Sequence, residues 1–371
     1  MKRKFLEFVK EYVLKLKKEL VLSLPGFLLC MLPALEDQNS DLLKKVEHIL
    51  AETEKIVGTS KFFGEIWKAM LRTPRARLSA IKFLVRKVPK DRSAAASMAR
   101  EGKIHTSPYN LVIRNGTLIV EDYNSNSGLT PAWVEQELIL LNALENSQDK
   151  NAFFYFYFPN KENLVINALL SGLDIIDQTV YVNRATFDFL ISHVSLITDI
   201  NTHEENVRLV EGALLTLKKR DFASLKKFFV WFQGHLEDHE TKPSKDDPAI
   251  RVAIPALQRL FKRFKHVKTV ARSGFQTKVT ASQQYDIFTP IQILTNLLQD
   301  NMTIASPILE EISVDLIKYI QYFYVVDVPD TEVKNKLQMH VTFFLEMVQD
   351  ELTCVWRALG SLLSTETRDI S

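Results

Sequence analysis

Residues 62–84 read FFGEIWKAMLRTPRARLSAIKFL, and this stretch decides the fold class. Apolar side chains recur at three- and four-residue intervals on both sides of Thr73-Pro74, which predicts two amphipathic helices joined by a tight turn. The first apolar stripe comprises Phe62, Phe63, Ile66, Trp67, Met70 and Leu71. The second comprises Leu78, Ile81, Val85 and Val88. Neither helix can bury its stripe alone, so the pair predicts a helical repeat in which neighbours stack.

The turn between these helices carries its own helix-start signal. Thr73 is predicted to be the N-cap residue, with its hydroxyl accepting a backbone N–H that lacks a helical partner. Pro74 then occupies the first helical position, where the missing N–H of proline costs nothing.

Composition excludes several protein classes. The chain has 371 residues, of which 46% are hydrophobic, but only 11 are Gly and 13 are Pro. Few glycines argue against a β-sandwich or an α/β enzyme, whose turns and phosphate loops need them. The net charge of +2 provides no global basic field for nucleic acid. Two cysteines, Cys30 and Cys354, cannot form a disulfide framework and are typical of a reducing compartment.

The rest of the sequence extends the helical pattern. Helix pairs recur at roughly 40-residue spacing, the range of HEAT and armadillo units. We therefore predict an all-α, HEAT/armadillo-like solenoid forming one domain over residues 1–363, followed by a flexible tail at 364–371. Residues 89–130 are predicted to be an insertion of loop and one small β-hairpin near residues 110–122, with an Asn115-Gly116 turn. Residues 237–248 are predicted to be a polar linker.

Three segments allow both a functional and a structural interpretation. Residues 2–22 predict a helix that is either a membrane-surface helix or, as its acidic residues favour, the first solenoid helix with a solvated outer face. Its apolar face comprises Phe5, Val9, Tyr12, Leu16 and Leu20. The aromatic run 153–158 is either a partner or lipid site or, as we favour, a buried segment. Residues 259–268, RLFKRFKHVK, are either a solvated face, the favoured interpretation, or a surface for anionic headgroups or an acidic partner. The basic patch comprises Arg259, Lys262, Arg263, Lys265 and Lys268.

Sequence motifs for catalysis are missing. No Gly-rich phosphate loop or nucleophile elbow occurs, and the cysteines lack metal spacing. His235 and His239 have helical i, i+4 spacing, but Glu237 is misplaced for a metalloprotease and the residues enter the polar linker, so an exposed linker is the favoured interpretation. We predict no catalytic residue, no cofactor and no metal site, and therefore no enzyme.

The opening stretch resembles a conserved segment of the Dopey family of membrane-trafficking proteins. In that family a Trp-containing helix precedes a Ser-Pro-x-x-Arg-Leu turn and another apolar helix, and here Trp67, Thr73-Pro74 and Arg77-Leu78 occupy those places. Further similar segments occur in the family order, with MLPALED at 31–37 upstream and a segment with Asp221 and Trp231 at the family spacing downstream. The matched residues are expected to be structural.

The resemblance implies a non-catalytic scaffold of Golgi–endosome traffic. Family members are peripheral on Golgi and endosome membranes, where they support endosome-to-Golgi retrieval and protein transport. They form a complex with a large scaffold related to Arf exchange factors and associate with an aminophospholipid flippase. They are several times longer than this chain, and their N-terminal region begins before the position of Met1, so a reduced member or a fragment is expected. The alternative is a generic HEAT-type adaptor or transport-receptor-like module.

Overall fold

The structure of the protein is a computed structural model. It describes residues 2–36, 40–90, 111–114, 117–120, 157–158, 163–174, 179–196, 202–219, 221–234, 243–272, 285–299, 301–325 and 331–368. Apart from one hairpin, the regular secondary structure of these residues is helical, which confirms the all-α part of the predicted fold class. The contacts divide the chain into an N-terminal unit, residues 1–172 and 177–194, and a C-terminal unit, residues 173–176 and 195–371. The prediction of one continuous domain over residues 1–363 stays a prediction.

The N-terminal unit is built from helices of moderate length. Their bounds are Lys2–Phe8 (α1), Leu20–Met31 (α2), Ser40–Val57 (α3), Thr59–Arg72 (α4), Arg77–Lys87 (α5), Leu164–Leu173 (α6, whose last residue is grouped with the other unit) and Val180–His193 (α7). Shorter turns link some of them: a π-helix at Val9–Val13 and 3-10 turns at Leu14–Glu19, Leu32–Glu36 and Pro74–Ala76. Helix α4 packs against α2, α3 and α5, and α5 packs in turn against α7.

Gly58 separates α3 from α4. Its φ of 85° lies in the region that favours glycine, and its amide donates to the Glu54 carbonyl at 2.9 Å. Helix α4 packs against α3 with all of its predicted apolar stripe except Leu71 buried. Phe62, Ile66 and Trp67 are completely buried, as the stripe predicted.

The buried face of α5 was predicted only in part: Ile81 and Val88 of the predicted stripe are buried. Leu78 and Val85, assigned to the apolar stripe, are half-buried, whereas Ala80, Phe83 and Leu84 are buried. Helix α5 packs against both α4 and α7, so its buried arc is wider than a single stripe and shifted from it. Sequence periodicity identifies a single apolar face, whereas a helix that packs between two neighbours buries two faces.

The predicted N-terminal helix over residues 2–22 is also wrong. Helix α1 ends at Phe8, and the chain continues as a π-helix and a 3-10 turn before α2 begins at Leu20. Lys17 has φ 49° and ψ −116°, a backbone conformation outside the helical region that breaks the segment. The predicted apolar face therefore does not stay together: Val9 and Leu20 are buried, but Phe5, Tyr12 and Leu16 are exposed.

A two-stranded antiparallel hairpin follows within the predicted insertion. Its strands are Leu111–Arg114 (β1) and Thr117–Val120 (β2), with Leu111 opposite Val120 and Arg114 opposite Thr117. The predicted Asn115-Gly116 turn lies outside the described residues, as does the rest of the insertion beyond residue 90.

The C-terminal unit consists of longer helices. Their bounds are His203–Thr216 (α8), Phe222–Gln233 (α9), Pro248–Arg272 (α10), Thr289–Gln299 (α11), Ala305–Val325 (α12), Thr331–Met347 (α13) and Leu352–Arg368 (α14). The 3-10 turns of this unit are Leu217–Lys219, Tyr285–Phe288, Met302–Ile304 and Gln349–Glu351. Residues 243–247, within the predicted polar linker, are not helical. At the other end of the unit, α14 continues to Arg368, into the segment that was predicted to be a flexible tail.

Helices of the C-terminal unit pack mainly on their second neighbours in the chain. Helix α8 contacts α10, α10 contacts α12, and α12 contacts α14, while α11 contacts α13. In the core of this unit Leu260 of α10, Leu294 of α11 and Ile312 of α12 are completely buried.

Candidate functional site

Trp67 lies at the centre of the N-terminal unit. Its indole N–H donates a hydrogen bond of 2.8 Å to the Tyr157 carbonyl, 90 residues along the chain. The Phe189 ring meets the indole edge-on at 5.3 Å, and Phe158 lies 6.1 Å from it. Tyr157 and Phe158 are buried, so the described end of the aromatic run 153–158 is core, as favoured. Trp67 is thus a structural residue with its polar atom satisfied.

The Thr73–Leu78 turn is held by Arg77 rather than by Thr73. Thr73 is extended and Pro74 follows at the first helical position, but the Thr73 hydroxyl makes no cap hydrogen bond, which corrects that prediction. Instead Arg77 donates from Nε to the Met70 carbonyl at 2.9 Å and from a terminal nitrogen to the Leu71 carbonyl at 3.2 Å. These carbonyls belong to the last turn of α4, where a cation also opposes the helix dipole.

Asp221 caps α9. Its carboxylate accepts hydrogen bonds from the Ser224 amide at 3.0 Å and from the Ser224 hydroxyl at 2.6 Å. Trp231, one turn before the end of the same helix, is buried. Both residues therefore have the architectural surroundings that their motif implied.

The basic patch is partly engaged in ion pairs within its own unit. Arg259 makes a two-pronged contact with Glu204 of α8, at 2.8 and 2.5 Å, and Arg263 lies 3.4 Å from Glu211. The hydrogen bond from Arg259 lowers the pKa of Glu204, and the same contact raises the pKa of Arg259. Two of the five predicted cations thus meet acidic groups on a neighbouring helix.

The remaining residues of the patch are less constrained. Lys262 is exposed, and the side chains of Lys265 and Lys268 lie outside the described residues. Binding of an anionic surface by this patch stays a prediction. Its available positive charge is smaller than the sequence suggests, because Glu204 and Glu211 offset the charge of Arg259 and Arg263.

A cleft of about 320 Å³ opens in the C-terminal unit between the start of α9 and the helices α11 and α13. On one wall Asn296 donates to the Leu217 carbonyl at 2.9 Å, and the Gln292 amide nitrogen lies 3.2 Å from Nε2 of His340. Phe222 stands at the rim with 84% of its surface exposed. Sequence reasoning missed this cleft because its walls come from segments more than a hundred residues apart.

His193 is a buried histidine between two helices of the N-terminal unit. Its Nε2 lies 3.0 Å from the Val88 carbonyl, its Nδ1 lies 3.2 Å from the Phe189 carbonyl, and its ring stacks on Phe189 at 4.5 Å. Burial lowers the pKa of His193, although the two carbonyl contacts favour the protonated ring.

This histidine predicts a loss of stability in mild acid. Since the folded-state pKa lies below the ordinary value of 6.5, the unfolded chain binds the proton first as the pH falls. The contribution of His193 is fully present above pH 6.5 and declines as the pH falls towards the folded-state pKa. In urea unfolding between pH 7.5 and 5, His193→Gln should flatten the profile, and His203→Gln, at an exposed histidine, should leave it unchanged. An unchanged profile in His193→Gln would contradict the assignment.

The described residues contain no cluster of three or more His, Cys, Asp or Glu side chains arranged to hold a metal. His235 and His239 lie outside these residues. Within the same described part of the chain, no helix has the length and apolar character required to cross a membrane.

Comparison with known families identifies the first two thirds of the chain. A family model described as Dopey, N-terminal, matches residues 1–237. The chain belongs to the Dopey family. The match includes Trp67, the Thr73–Leu78 turn, Asp221 and Trp231, and it confirms the resemblance that those motifs indicated.

Individual relatives are much longer than this chain. Protein DOP1B of Xenopus laevis is 23% identical over 324 residues, which cover 84% of this chain and 12% of the frog protein. Protein DOP1B of Mus musculus is 33% identical over 82 residues, which cover 22% of this chain and 4% of the mouse protein. The chain therefore spans about an eighth or less of the length of these curated relatives. No solved structure matches it.

Proposed function

We propose that this chain is a non-catalytic scaffold in Golgi–endosome membrane traffic, acting in endosome-to-Golgi retrieval and protein transport. The observation that carries the proposal is the match of the Dopey N-terminal family model over residues 1–237. The family motifs support an architectural role, because Trp67, Arg77 and Asp221 each satisfy backbone groups of their own unit.

The architecture that we propose for this scaffold is a HEAT/armadillo-like solenoid. Second-neighbour packing in the C-terminal unit supports it, because stacked helix pairs place every other helix in the same layer. Extended layers of this kind bind partners along their surface and need no enclosed active site. A scaffold of this class works by holding partners together, which is consistent with the absence of catalytic motifs from the sequence.

The partners that we propose follow from the family. They are a large scaffold protein related to Arf exchange factors and an aminophospholipid flippase, with the chain peripheral on Golgi and endosome membranes.

The test is affinity capture of the tagged chain from crosslinked cells, combined with imaging of its location. We expect the Arf-exchange-factor-related scaffold and the flippase to be enriched over an unrelated helical-repeat protein with the same tag, and the chain to coincide with Golgi and endosome markers. Capture of nuclear transport or other adaptor complexes without any Golgi or endosomal protein would instead favour the generic HEAT-type adaptor and overturn the trafficking proposal.

A further inference from the structure

The N-terminal segment carries a row of exposed apolar side chains. Phe5, Phe8, Tyr12 and Leu16 are 45%, 53%, 61% and 49% exposed. Phe5 and Phe8 lie three residues apart in α1, Tyr12 lies in the π-helix that follows, and Leu16 lies in the 3-10 turn. The Phe8 and Tyr12 rings stack on each other with centroids 5.2 Å apart, in contact with solvent. We call these four residues the N-terminal shoulder.

The shoulder belongs to a segment that is anchored to its unit. Leu6 and Val9 are 4% and 2% exposed, and Leu20, where α2 begins, is completely buried. Helix α1 contacts α3, and the 3-10 turn after the π-helix contacts both α2 and α3. The apolar arc of this segment is therefore wider than the part that the unit covers. One edge enters the core, and the other edge, the shoulder, stays outside.

Basic residues surround the shoulder. Residues 2–19 contain seven basic and three acidic residues, a net charge of +4, whereas the whole chain has a net charge of +2. The exposed cations are Arg3, Lys4, Lys10, Lys15 and Lys17. Lys4 lies four residues before Phe8 in α1, which places the two on the same side of that helix. Positive charge is thus concentrated along the segment that carries the exposed aromatic pair.

We propose that the N-terminal shoulder and its flanking cations bind the surface of an anionic membrane. Aromatic and leucine side chains can enter the boundary between headgroups and acyl chains, while each lysine or arginine near the surface is attracted to anionic lipid. The cations occur near both ends of the shoulder, so a flat negatively charged surface engages them together. The proposal deepens the peripheral-membrane part of the proposed function by naming the surface and the lipid class.

The test uses the purified full chain and sedimentation with phosphatidylcholine vesicles that either contain or lack phosphatidylserine. The wild-type chain should bind the anionic vesicles and not the neutral ones. Phe8→Ser/Tyr12→Ser should weaken binding about tenfold or more, and Lys4→Glu/Lys15→Glu should do the same. Tyr12→Trp should retain binding, because tryptophan also favours the membrane interface. Circular dichroism verifies that each variant is folded.

Two matched controls separate the shoulder from other surfaces. Tyr181→Ser removes an aromatic residue of the same unit that is 62% exposed, close to the 61% of Tyr12, and should bind like the wild type. Lys262→Glu/Arg263→Glu reverses charge in the basic patch and should change binding less than the Lys4/Lys15 reversal. Loss of binding in this second control alone would assign the membrane surface to the basic patch and overturn the proposal.

Other outcomes are equally decisive. A wild-type chain that ignores anionic vesicles, or a Phe8→Ser/Tyr12→Ser variant that binds them normally, would refute the lipid surface. If vesicle binding is absent but the same variant loses a captured cellular protein, the shoulder is a protein interface instead. The vesicle assay contains no partner protein, so its failure leaves the Golgi–endosome proposal to the capture experiment, and the reverse also holds.

Discussion

Replacement of Trp67 by alanine is expected to lower the free energy of unfolding of the N-terminal unit by roughly 3–5 kcal/mol. The side chain is completely buried and its indole lies beside the rings of Phe158 and Phe189. Its removal leaves a large cavity and deprives the Tyr157 carbonyl of its hydrogen-bond donor at the same time. Few single substitutions in this chain combine both penalties.

Urea unfolding followed by circular dichroism measures this loss, and hydrogen exchange in α4 and α7 assigns it to the N-terminal unit. Trp356→Ala is the matched control: Trp356 is 64% exposed, and its replacement should change stability by about 0.5 kcal/mol or less. Trp67→Phe separates the two penalties, because phenylalanine fills much of the cavity but cannot donate to Tyr157. A loss below about 1 kcal/mol for Trp67→Ala would contradict the described burial.

The Trp67 site shows how far periodicity reaches. The stripe on α4 was predictable because its spacing of three and four residues has one helical interpretation, and five of the six predicted residues are buried. The acceptor on Tyr157 was not predictable, since no local pattern specifies a contact across 90 residues. Sequence therefore identified the residue to be buried but not what buries it.

The same limit explains the errors in α5 and at the N-terminus. In α5 the buried arc depends on two neighbours, α4 and α7, and the second of these lies about a hundred residues further along. Over residues 2–22 the apolar pattern predicted one continuous helix, but the break at Lys17 has no glycine or proline signal. The exposed shoulder followed from that break and from partial coverage of the segment, both of which are tertiary effects.

The positions of the charged residues can be read from the sequence, but the ion pairs that offset their charge cannot. The sequence has five basic residues at positions 259–268 of α10, where they alternate with apolar residues, and the binding role of this basic patch stays a prediction. Glu204 and Glu211, which pair with Arg259 and Arg263, lie more than fifty residues earlier on α8. At the N-terminus, the acidic residues beside the cations favoured the interpretation of a solvated face. The exposed aromatic side chains on the same segment support a binding surface instead.

Replacement of Arg77 by methionine should destabilise the N-terminal unit by about 2–3 kcal/mol. Methionine retains an unbranched apolar chain, so the change mainly removes the guanidinium that donates to the Met70 and Leu71 carbonyls. Arg77 is only 9% exposed, so water cannot readily replace it as the donor to the buried Met70 contact. Arg77 lies three residues after Pro74, and from there its guanidinium reaches the carbonyls in the last turn of α4.

Two further substitutions test whether the loss of stability is specific to the guanidinium of Arg77. Arg75→Met removes an exposed arginine from the same turn and should leave the free energy of unfolding nearly unchanged. Arg77→Lys should lose most of the stability that Arg77→Met loses, because a single ammonium cannot reproduce both fixed N–H directions of the guanidinium. Equal effects at positions 75 and 77 would mean that the turn responds to net charge alone. A loss confined to Arg77 would show that the Arg-Leu element of this turn acts by satisfying the last carbonyls of α4 and so holds the end of α4 beside the start of α5.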